Sequence, residues 1–215
     1  MQSLSRLALA AALSVATLSA QAALIARPGG MVYDSTLNIT WLQDWNTNGR
    51  MNWWTANNWA NNLVYGGFDD WRLPTTDTTA SSNCSSNINL NSALPLQYYG
   101  YNCTGSEMGH MFYTEFGATA GNSIVTGSNA ANLALFTNVQ SRLYWSSTSF
   151  AVNPNSAWFF GTYDGSQGST AKVNAVYAVA VRPGDVAASV PEPQTLALAL
   201  LALGATVVAR RRRPH

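Results

Sequence analysis

Short apolar and alternating segments, separated by turn residues, recur through the middle of the chain. Met31–Asp34 and Ile39–Leu42 flank a polar turn at 35–38, and this pattern predicts two neighbouring strands. Further strands are predicted late in the chain at 143–145, 157–163 and 176–181, with a hairpin turn at Asp164 and Gly165. The pattern therefore predicts an antiparallel β framework.

Two segments show the 3.6-residue period of helices. The first begins after Asn52, a residue suited to the N-cap, and we expect Gly66 and Gly67 to end it in a left-handed C-cap after about residue 64. Its inward face is predicted to be Ala56, Trp59, Ala60 and Leu63. The second segment is 106–116, with Ser106 as its cap and with Met108, Met111, Phe112 and Phe116 facing inward. Together with the strands, these helices predict a single compact α+β domain with a few short helices.

The first 22 residues have the composition of a secretory signal peptide. Arg6 supplies the positive charge, residues 7–18 are apolar, and Ala20-Gln21-Ala22 is a small-residue cleavage site. The mature protein is therefore expected to begin at Ala23, after passage through the Sec translocon and cleavage by signal peptidase. An uncleaved anchor is the alternative, and the shortness of the apolar run argues against it.

The end of the chain has the order of a stop-transfer signal. Pro191, Glu192 and Pro193 precede an apolar run over 196–209 and four arginines at 210–213. Arginines are costly to move across a bilayer and stay on the cytoplasmic side, which argues against the alternative of a buried core helix. The order resembles the PEP-CTERM sorting signal of Gram-negative bacteria. The resemblance implies that an exosortase-type enzyme processes the chain.

The two ends together predict an exported protein. A C-terminal transmembrane helix would hold it transiently in the inner membrane of a Gram-negative bacterium, before display at the cell surface or in the extracellular matrix. The predicted organisation is a signal peptide at 1–22, a domain at 23–184, a linker at 185–190 and the sorting signal at 191–215.

Export also decides the expected state of the two cysteines. An exported chain meets an oxidising compartment, so Cys84 and Cys103 are expected to form a disulfide, with two free thiols as the alternative. The bond would pin the segment 75–91, which is rich in Ser, Thr and Asn and is predicted to be a loop.

The charge of the exported part differs from that of the whole chain. Residues 23–190 carry six Lys/Arg and nine Asp/Glu, a net charge of −3, whereas the whole chain carries +1. The excess of basic residues therefore lies in the removable ends. Without a basic patch, the domain is not expected to bind nucleic acid or to capture sulfated polymers by simple charge attraction.

A series of motifs between residues 31 and 183 resembles a known family. The series is Asp34, Thr40-Trp41-Leu42, Trp54, Ala56, Gly66-Gly67, Asp70-Trp71-Arg72-Leu73-Pro74-Thr75, Tyr144-Trp145-Ser146-Ser147, Ala157-Trp158 and Val181-Arg182-Pro183. It resembles the DUF1566 family, also called the Lcl C-terminal domain after a collagen-like adhesin. The resemblance implies a C-type-lectin-like fold, and the named adhesin is associated with glycosaminoglycan binding. This chain lacks the collagen-like repeat and the basic excess that a sulfated polymer favours.

We interpret the centre of these motifs as structural: Trp71, Arg72, Pro74, Trp145 and Arg182. Both arginines flank apolar residues in extended segments, so each is expected to reach a carboxylate or carbonyl cluster at the edge of the core. The candidate partners are Asp34, Asp69 and Asp70. Ligand contact is the alternative role for the motif residues, although motif tryptophans most often pack.

Residues 23–190 show no catalytic constellation, and we expect the protein not to be an enzyme. His110 is the one histidine of this part, and its Met/Phe-rich helix favours a packed or hydrogen-bonded role. Glu107 and Glu115, about 12 Å apart along a helix, are too far apart for a retaining glycosidase and are interpreted as solvated acids. No cofactor is expected. The Cys/His cluster of a zinc site is missing, and calcium on Asp69 or Asp70 stays open.

Aromatic and amide residues cluster between residues 45 and 59. Aromatic faces stack on sugar C–H groups and amides bind hydroxyls, so such a cluster is a candidate saccharide platform. Trp54 and Trp59 have the alternative of forming the inward helix face. The candidate ligand-binding residues are therefore Trp45, Trp53, Asn46 and Asn52, with Trp145 from the motif series.

The sequence as a whole predicts an exported, non-enzymatic binding domain for exopolysaccharide or another surface glycan, in an adhesion or biofilm context. A self-associating structural matrix protein is the alternative. A hydrolytic enzyme is a third reading, which the missing catalytic constellation disfavours.

Overall fold

The computed structural model of the protein describes residues 24–89 and 92–186. The strands are β1 (Leu24–Arg27), β2 (Met31–Asp34), β3 (Ile39–Leu42), β4 (Arg50–Met51), β5 (Ser86–Ile88), β6 (Gln97–Tyr99), β7 (Leu143–Ser149), β8 (Ser156–Gly161), β9 (Ser166–Ala171), β10 (Val176–Tyr177) and β11 (Val181–Pro183). The helices are α1 (Trp53–Asn61), α2 (Glu107–His110) and α3 (Ala130–Leu133), with 3₁₀ turns at Ala80–Ser82 and Ile124–Thr126 and a π-helical turn at Met111–Glu115. The architecture is mostly β-sheet with a few short helices.

The predicted signal peptide, sorting motif and C-terminal apolar helix lie outside the described residues. Within the described ranges, every helix falls short of the length and apolar character that crossing a bilayer needs.

A four-stranded sheet joins the two ends of the domain. Its order is β1-β2-β3-β11, with every pair antiparallel, so the last strand of the domain completes a sheet begun by the first three. The turn between β2 and β3 is fixed by Asp34, whose Oδ1 accepts the backbone N–H groups of Thr36 and Leu37. The prediction of these two strands and their turn is confirmed.

A five-stranded sheet carries the rest of the framework. Its order is β4-β10-β7-β8-β9, and all its pairs are antiparallel except the short parallel contact between β10 and β7. The hairpin of β8 and β9 turns at Asp164 and Gly165, as predicted, and Gly165 has a φ of 82°. Both faces of β7 are covered, because its neighbouring residues Tyr144 and Trp145 are both buried.

Helix α1 begins as predicted but ends differently. The Asn52 side chain accepts the N–H of Thr55, which confirms the N-cap. The helix ends at Asn61, and Gly66 and Gly67 instead form the centre of a tight turn in which Tyr65 and Phe68 exchange both backbone hydrogen bonds. Both glycines have positive φ values, which a two-residue hairpin turn of this type requires. The predicted C-cap role of the two glycines is therefore wrong.

The second helical segment changes its winding in the middle. It is α-helical over α2 and then π-helical over Met111–Glu115, where the N–H of Phe116 bonds the carbonyl of Met111. Ser106 occupies the N-cap position without a capping hydrogen bond, because its hydroxyl bonds the Gln167 side chain on β9 instead. The predicted inward residues of this segment are buried.

The segment predicted as a loop at 75–91 contains structure. Ser86–Ile88 pairs with Gln97–Tyr99 as a separate two-stranded hairpin, and a 3₁₀ turn precedes it. The disulfide between Cys84 and Cys103 is present, which confirms the predicted pairing. It ties the start of this hairpin to the chain that leads into α2.

Candidate ligand-binding pocket

Two of the predicted ligand-binding tryptophans are core residues. Trp45 and Trp145 are both 0% exposed. The ring centres of Trp45 and Trp41 are stacked 5.7 Å apart, and the backbone N–H of Trp45 bonds the carbonyl of Thr137. Trp145 donates its indole N–H to the carbonyl of Met51. The expected exposure of Trp45 is therefore wrong, and Trp145 is placed as the structural interpretation requires.

Of the other predicted platform residues, Trp53 and Asn52 are occupied by contacts within the domain. Trp53 is half-buried and donates its indole N–H to Ser146, while the Lys172 ammonium lies 4.0 Å from the centre of its ring. Asn52 caps α1. Asn46 bonds Asp44 through its backbone N–H, and its side-chain Oδ1 is buried without a hydrogen-bond partner among the described residues. The expected open aromatic platform is not formed by these side chains. A ligand role for Trp53, Asn46 and Asn52 stays a prediction.

Two motifs of the series, Trp-Arg-Leu-Pro-Thr at 71–75 and Tyr-Trp-Ser-Ser at 144–147, lie side by side, and we call them the two central motifs. The carbonyl of Pro74 in the first accepts the N–H of Ser147 in the second. Arg72 makes a two-pronged bond to Glu107 at 2.6 and 2.8 Å, and the same carboxylate accepts the N–H of Thr75. The expectation of a carboxylate partner for this arginine is confirmed, but the partner is not one of the aspartates expected.

Arg182 provides the second such pair. Its guanidinium bonds both carboxylate oxygens of Asp70, at 2.7 and 3.0 Å, and lies over the Phe68 ring. Hydrogen bonds from this arginine hold the pKa of Asp70 below its ordinary value. Asp70 is thus engaged by a cation and Asp69 is exposed, so calcium binding at these two acids has no geometric support and stays a prediction.

A well-defined cavity lies on another part of the domain. It has a volume of about 330 Å³ and is lined by Ile88, Tyr99, Phe150, Trp158, Gly168 and Ser169. The hairpin of β5 and β6 forms one wall, and the face of β8 and β9 that carries Trp158 and Ser169 forms the other. A β-bridge between Gly100 and Gln167 holds the hairpin against β9.

Aromatic rings dominate the lining of this pocket. Trp158 and Phe150 meet edge to face at 5.4 Å, and Tyr99 at the rim is 37% exposed. Trp158 is itself only 2% exposed, and its indole N–H has no partner among the described residues. Of the lining residues described, none is charged. The pocket therefore offers flat apolar surfaces with neutral polar groups, which suits an uncharged ligand that has both apolar and polar faces.

The two central motifs and the pocket lie within a segment that matches a family model. The Lcl C-terminal domain model matches residues 30–182. The chain belongs to the Lcl C-terminal domain family. The PEP-CTERM protein-sorting motif matches residues 189–213, which indicates export and processing by an exosortase-type enzyme. Comparisons with curated proteins and with solved structures found no match.

The Lcl C-terminal domain thus carries a pocket that the sequence did not reveal. Its lining comes from β5, β6, β8 and β9 and from Phe150, and its first and last lining residues, Ile88 and Ser169, are 81 positions apart. Only Trp158 belonged to the motif series, and the Ser/Thr/Asn-rich composition around β5 indicated a loop. The one available signal was the pair of tyrosines at 98 and 99 within the segment that the disulfide closes.

Proposed function

We propose that this Lcl C-terminal domain is a non-enzymatic binding module whose pocket between the β5–β6 hairpin and β8–β9 takes a neutral saccharide of an exopolysaccharide or surface glycan. The aromatic pocket is the observation that supports this proposal most directly. Its volume of about 330 Å³ is at the lower end of the range for small-ligand sites, which suits one or two sugar rings.

The charge distribution supports a neutral ligand over a sulfated one. Of the six Lys/Arg in 23–190, Arg27, Arg72 and Arg182 pair with carboxylates, and Lys172 lies over Trp53. Arg50 and Arg142 lie at a separate depression of about 160 Å³. A polyanion needs several free cations along one surface, and this arrangement offers few of them.

The sorting motif supports an extracellular place of action. Display at the cell surface or in a biofilm matrix, after transient anchoring in the inner membrane, is part of this proposal. The C-type-lectin-like fold that the resemblance implies stays a prediction.

The absence of catalysis is also part of the proposal. The imidazole of His110 is 9% exposed, and its Nε2 faces the carboxylates of Glu115 at 3.1 Å and Asp34 at 3.6 Å. A general base needs its nitrogen free to reach a nucleophile or a substrate. This nitrogen faces two buried acids instead, which disfavours the hydrolytic alternative.

A matched pair of tyrosine variants tests the pocket. The full chain, purified in a mild detergent, is screened on a glycan array with and without calcium, and binding to the best ligand is then measured by calorimetry. Tyr99→Ala removes an exposed ring at the rim, and we expect at least about a fivefold loss of affinity, since a stacked aromatic contributes about 1–3 kcal/mol. Tyr101→Ala removes a ring of nearly equal exposure, 38%, that does not line the pocket, and should bind as the wild type does.

Three outcomes would contradict the proposal. A glycan array without binding to any glycan would refute the saccharide as ligand. Equal losses of affinity in the two variants would refute the pocket as the binding site. Concentration-dependent oligomers in sedimentation, without saturable sugar binding, would favour the self-associating matrix protein.

A further inference from the structure

Three ionisable side chains meet inside the domain, away from the aromatic pocket. Asp34, His110 and Glu115 are all buried, and one ligand atom from each lies within 4.8 Å of the others. They come from different elements, namely the end of β2, the end of α2 and the end of the π-helical turn. The interpretation of Glu115 as a solvated acid is therefore wrong.

The π-helical turn places two of the three side chains on one face. In an α-helix, residues five apart point in directions about 140° different, because each residue turns the chain by about 100°. In a π turn the i→i+5 hydrogen bond brings such residues nearly over one another. His110 and Glu115 are five apart and their Nε2 and Oε1 atoms lie 3.1 Å apart. Unusual winding of this kind is frequent at functional sites.

In each carboxylate one oxygen, the inner one, faces His110, and the other, the outer one, is held by hydrogen-bond donors. Asp34 Oδ1 accepts the N–H groups of Thr36 and Leu37. Glu115 Oε2 accepts the side-chain amide of Asn132, which also bonds the Glu115 carbonyl. This leaves one oxygen of each acid to face the histidine, and supporting bonds of this kind orient the ligands of metal ions in proteins.

The inner oxygen of Asp34 has no partner. Asp34 is 0% exposed, its Oδ2 is buried without a hydrogen bond in the described residues, and it lies 3.6 Å from His110 Nε2. An unpaired buried carboxylate oxygen is costly unless a cation or a donor satisfies it.

We propose that Asp34, His110 and Glu115 bind a divalent first-row transition metal ion of the zinc class. Tetrahedral bonds of about 2.0–2.1 Å place neighbouring ligand atoms about 3.3–3.4 Å apart, and the two distances from His110 Nε2 are 3.1 and 3.6 Å. Two carboxylates and a neutral imidazole balance the double charge of the ion. The imidazole favours zinc-class ions over calcium and magnesium, which prefer oxygen ligands alone.

The role of this ion is structural. The three side chains are between 0% and 9% exposed, so the ion would join the four-stranded sheet to the helical segment out of reach of a large substrate. Sequence reasoning dismissed zinc because Cys/His clusters were missing. The ligand set here contains one histidine and two acids from distant positions.

Zinc binding is measured on the full chain, purified in a mild detergent, stripped with EDTA and dialysed. Calorimetry with zinc chloride and metal analysis by mass spectrometry should both give about one zinc ion per chain. At zinc concentrations near 100 times Kd, the unfolding temperature should rise by about 5–10 °C. A wild-type chain that binds no stoichiometric zinc overturns the proposal.

The two histidines of the chain provide a matched control. His110→Gln should lower zinc affinity at least a hundredfold, and His215→Ala should leave it unchanged. Asp34→Asn, which keeps the outer oxygen, should weaken zinc binding at least tenfold. Equal binding by wild type and His110→Gln, or loss of binding in His215→Ala, overturns the proposal.

Histidine NMR gives an answer that does not depend on whether His110→Gln folds. With ¹⁵N-labelled histidine, the wild type shows two imidazole spin systems, and His215→Ala identifies the one from His110. Zinc should shift the Nε2 signal of His110 in proportion to bound metal. A zinc-induced shift confined to the His215 signal overturns the proposal.

Discussion

The pair of Arg72 and Glu107 should be the strongest ion pair of the described domain, and its removal gives a quantitative test. Glu107→Ala leaves the guanidinium without a carboxylate and the N–H of Thr75 without an acceptor. The Glu107 side chain is 14% exposed and that of Arg72 is 29% exposed. The cost should therefore lie between those of surface and fully buried pairs, at about 2–3 kcal/mol.

The pair of Arg27 and Asp185 is the matched control. Its two bonds, at 2.6 and 2.7 Å, are as short, but the Asp185 side chain is 35% exposed, against 14% for that of Glu107. Asp185→Ala should cost less than about 1 kcal/mol. For a domain of this size the unfolding temperature should fall by about 5–10 °C in Glu107→Ala and by less than about 3 °C in Asp185→Ala.

Calorimetric and urea unfolding of both variants measures these differences. A double-mutant cycle with Arg72→Met should give a coupling free energy of about 1–2 kcal/mol for the pair. If Glu107→Ala costs no more than Asp185→Ala, burial of the carboxylate does not govern the strength of these pairs and the reasoning is refuted.

Three further predictions concern other parts of the domain. Hydrogen bonds from Arg182 lower the pKa of Asp70, so the ionised carboxylate stabilises the fold above the ordinary pKa of an aspartate, and this stability is lost as the pH falls through the lower pKa of the folded state. In unfolding scans from pH 7 to pH 2, Asp70→Asn should therefore lose less stability toward acid than the wild type does. Gly66→Ala should lower the unfolding temperature, since φ is 63° and the new Cβ would lie 2.6 Å from Met31 Cε; an unchanged temperature would contradict this. Reduction of the disulfide, which spans 19 positions, should destabilise the domain by about 3 kcal/mol in urea titrations.

Local signals predicted the elements that depend on neighbours in the chain. The turn after Asp34 and the N-cap at Asn52 were predictable because each is closed by hydrogen bonds within three residues. The pairing of Arg182 with an aspartate was predictable from the cost of a buried unpaired charge. Its distance of 112 positions from Asp70 shows that such physical rules can reach beyond local sequence when few partners exist.

Features that depend on distant contacts were missed. Trp45 lies in an Asn-rich stretch that resembles a surface, yet its ring is covered by Phe116, Phe136 and Tyr144, which come from much later in the chain. The pocket was missed for the same reason, because its two walls come together only when the β5–β6 hairpin packs on β9. The π turn was missed because its apolar spacing over a few residues matches that of an α-helix.

The closing of the four-stranded sheet by β11 sets the path of mechanical force through the domain. The match to the sorting motif begins at residue 189, six positions after the end of β11. A pull on the tail would reach the domain where Asp185 is paired with Arg27 at the end of β1 and where β11 is hydrogen-bonded to β3. Tension from a tether would therefore be shared between the first and last segments of the fold, and the β5–β6 hairpin with its pocket would lie off this path.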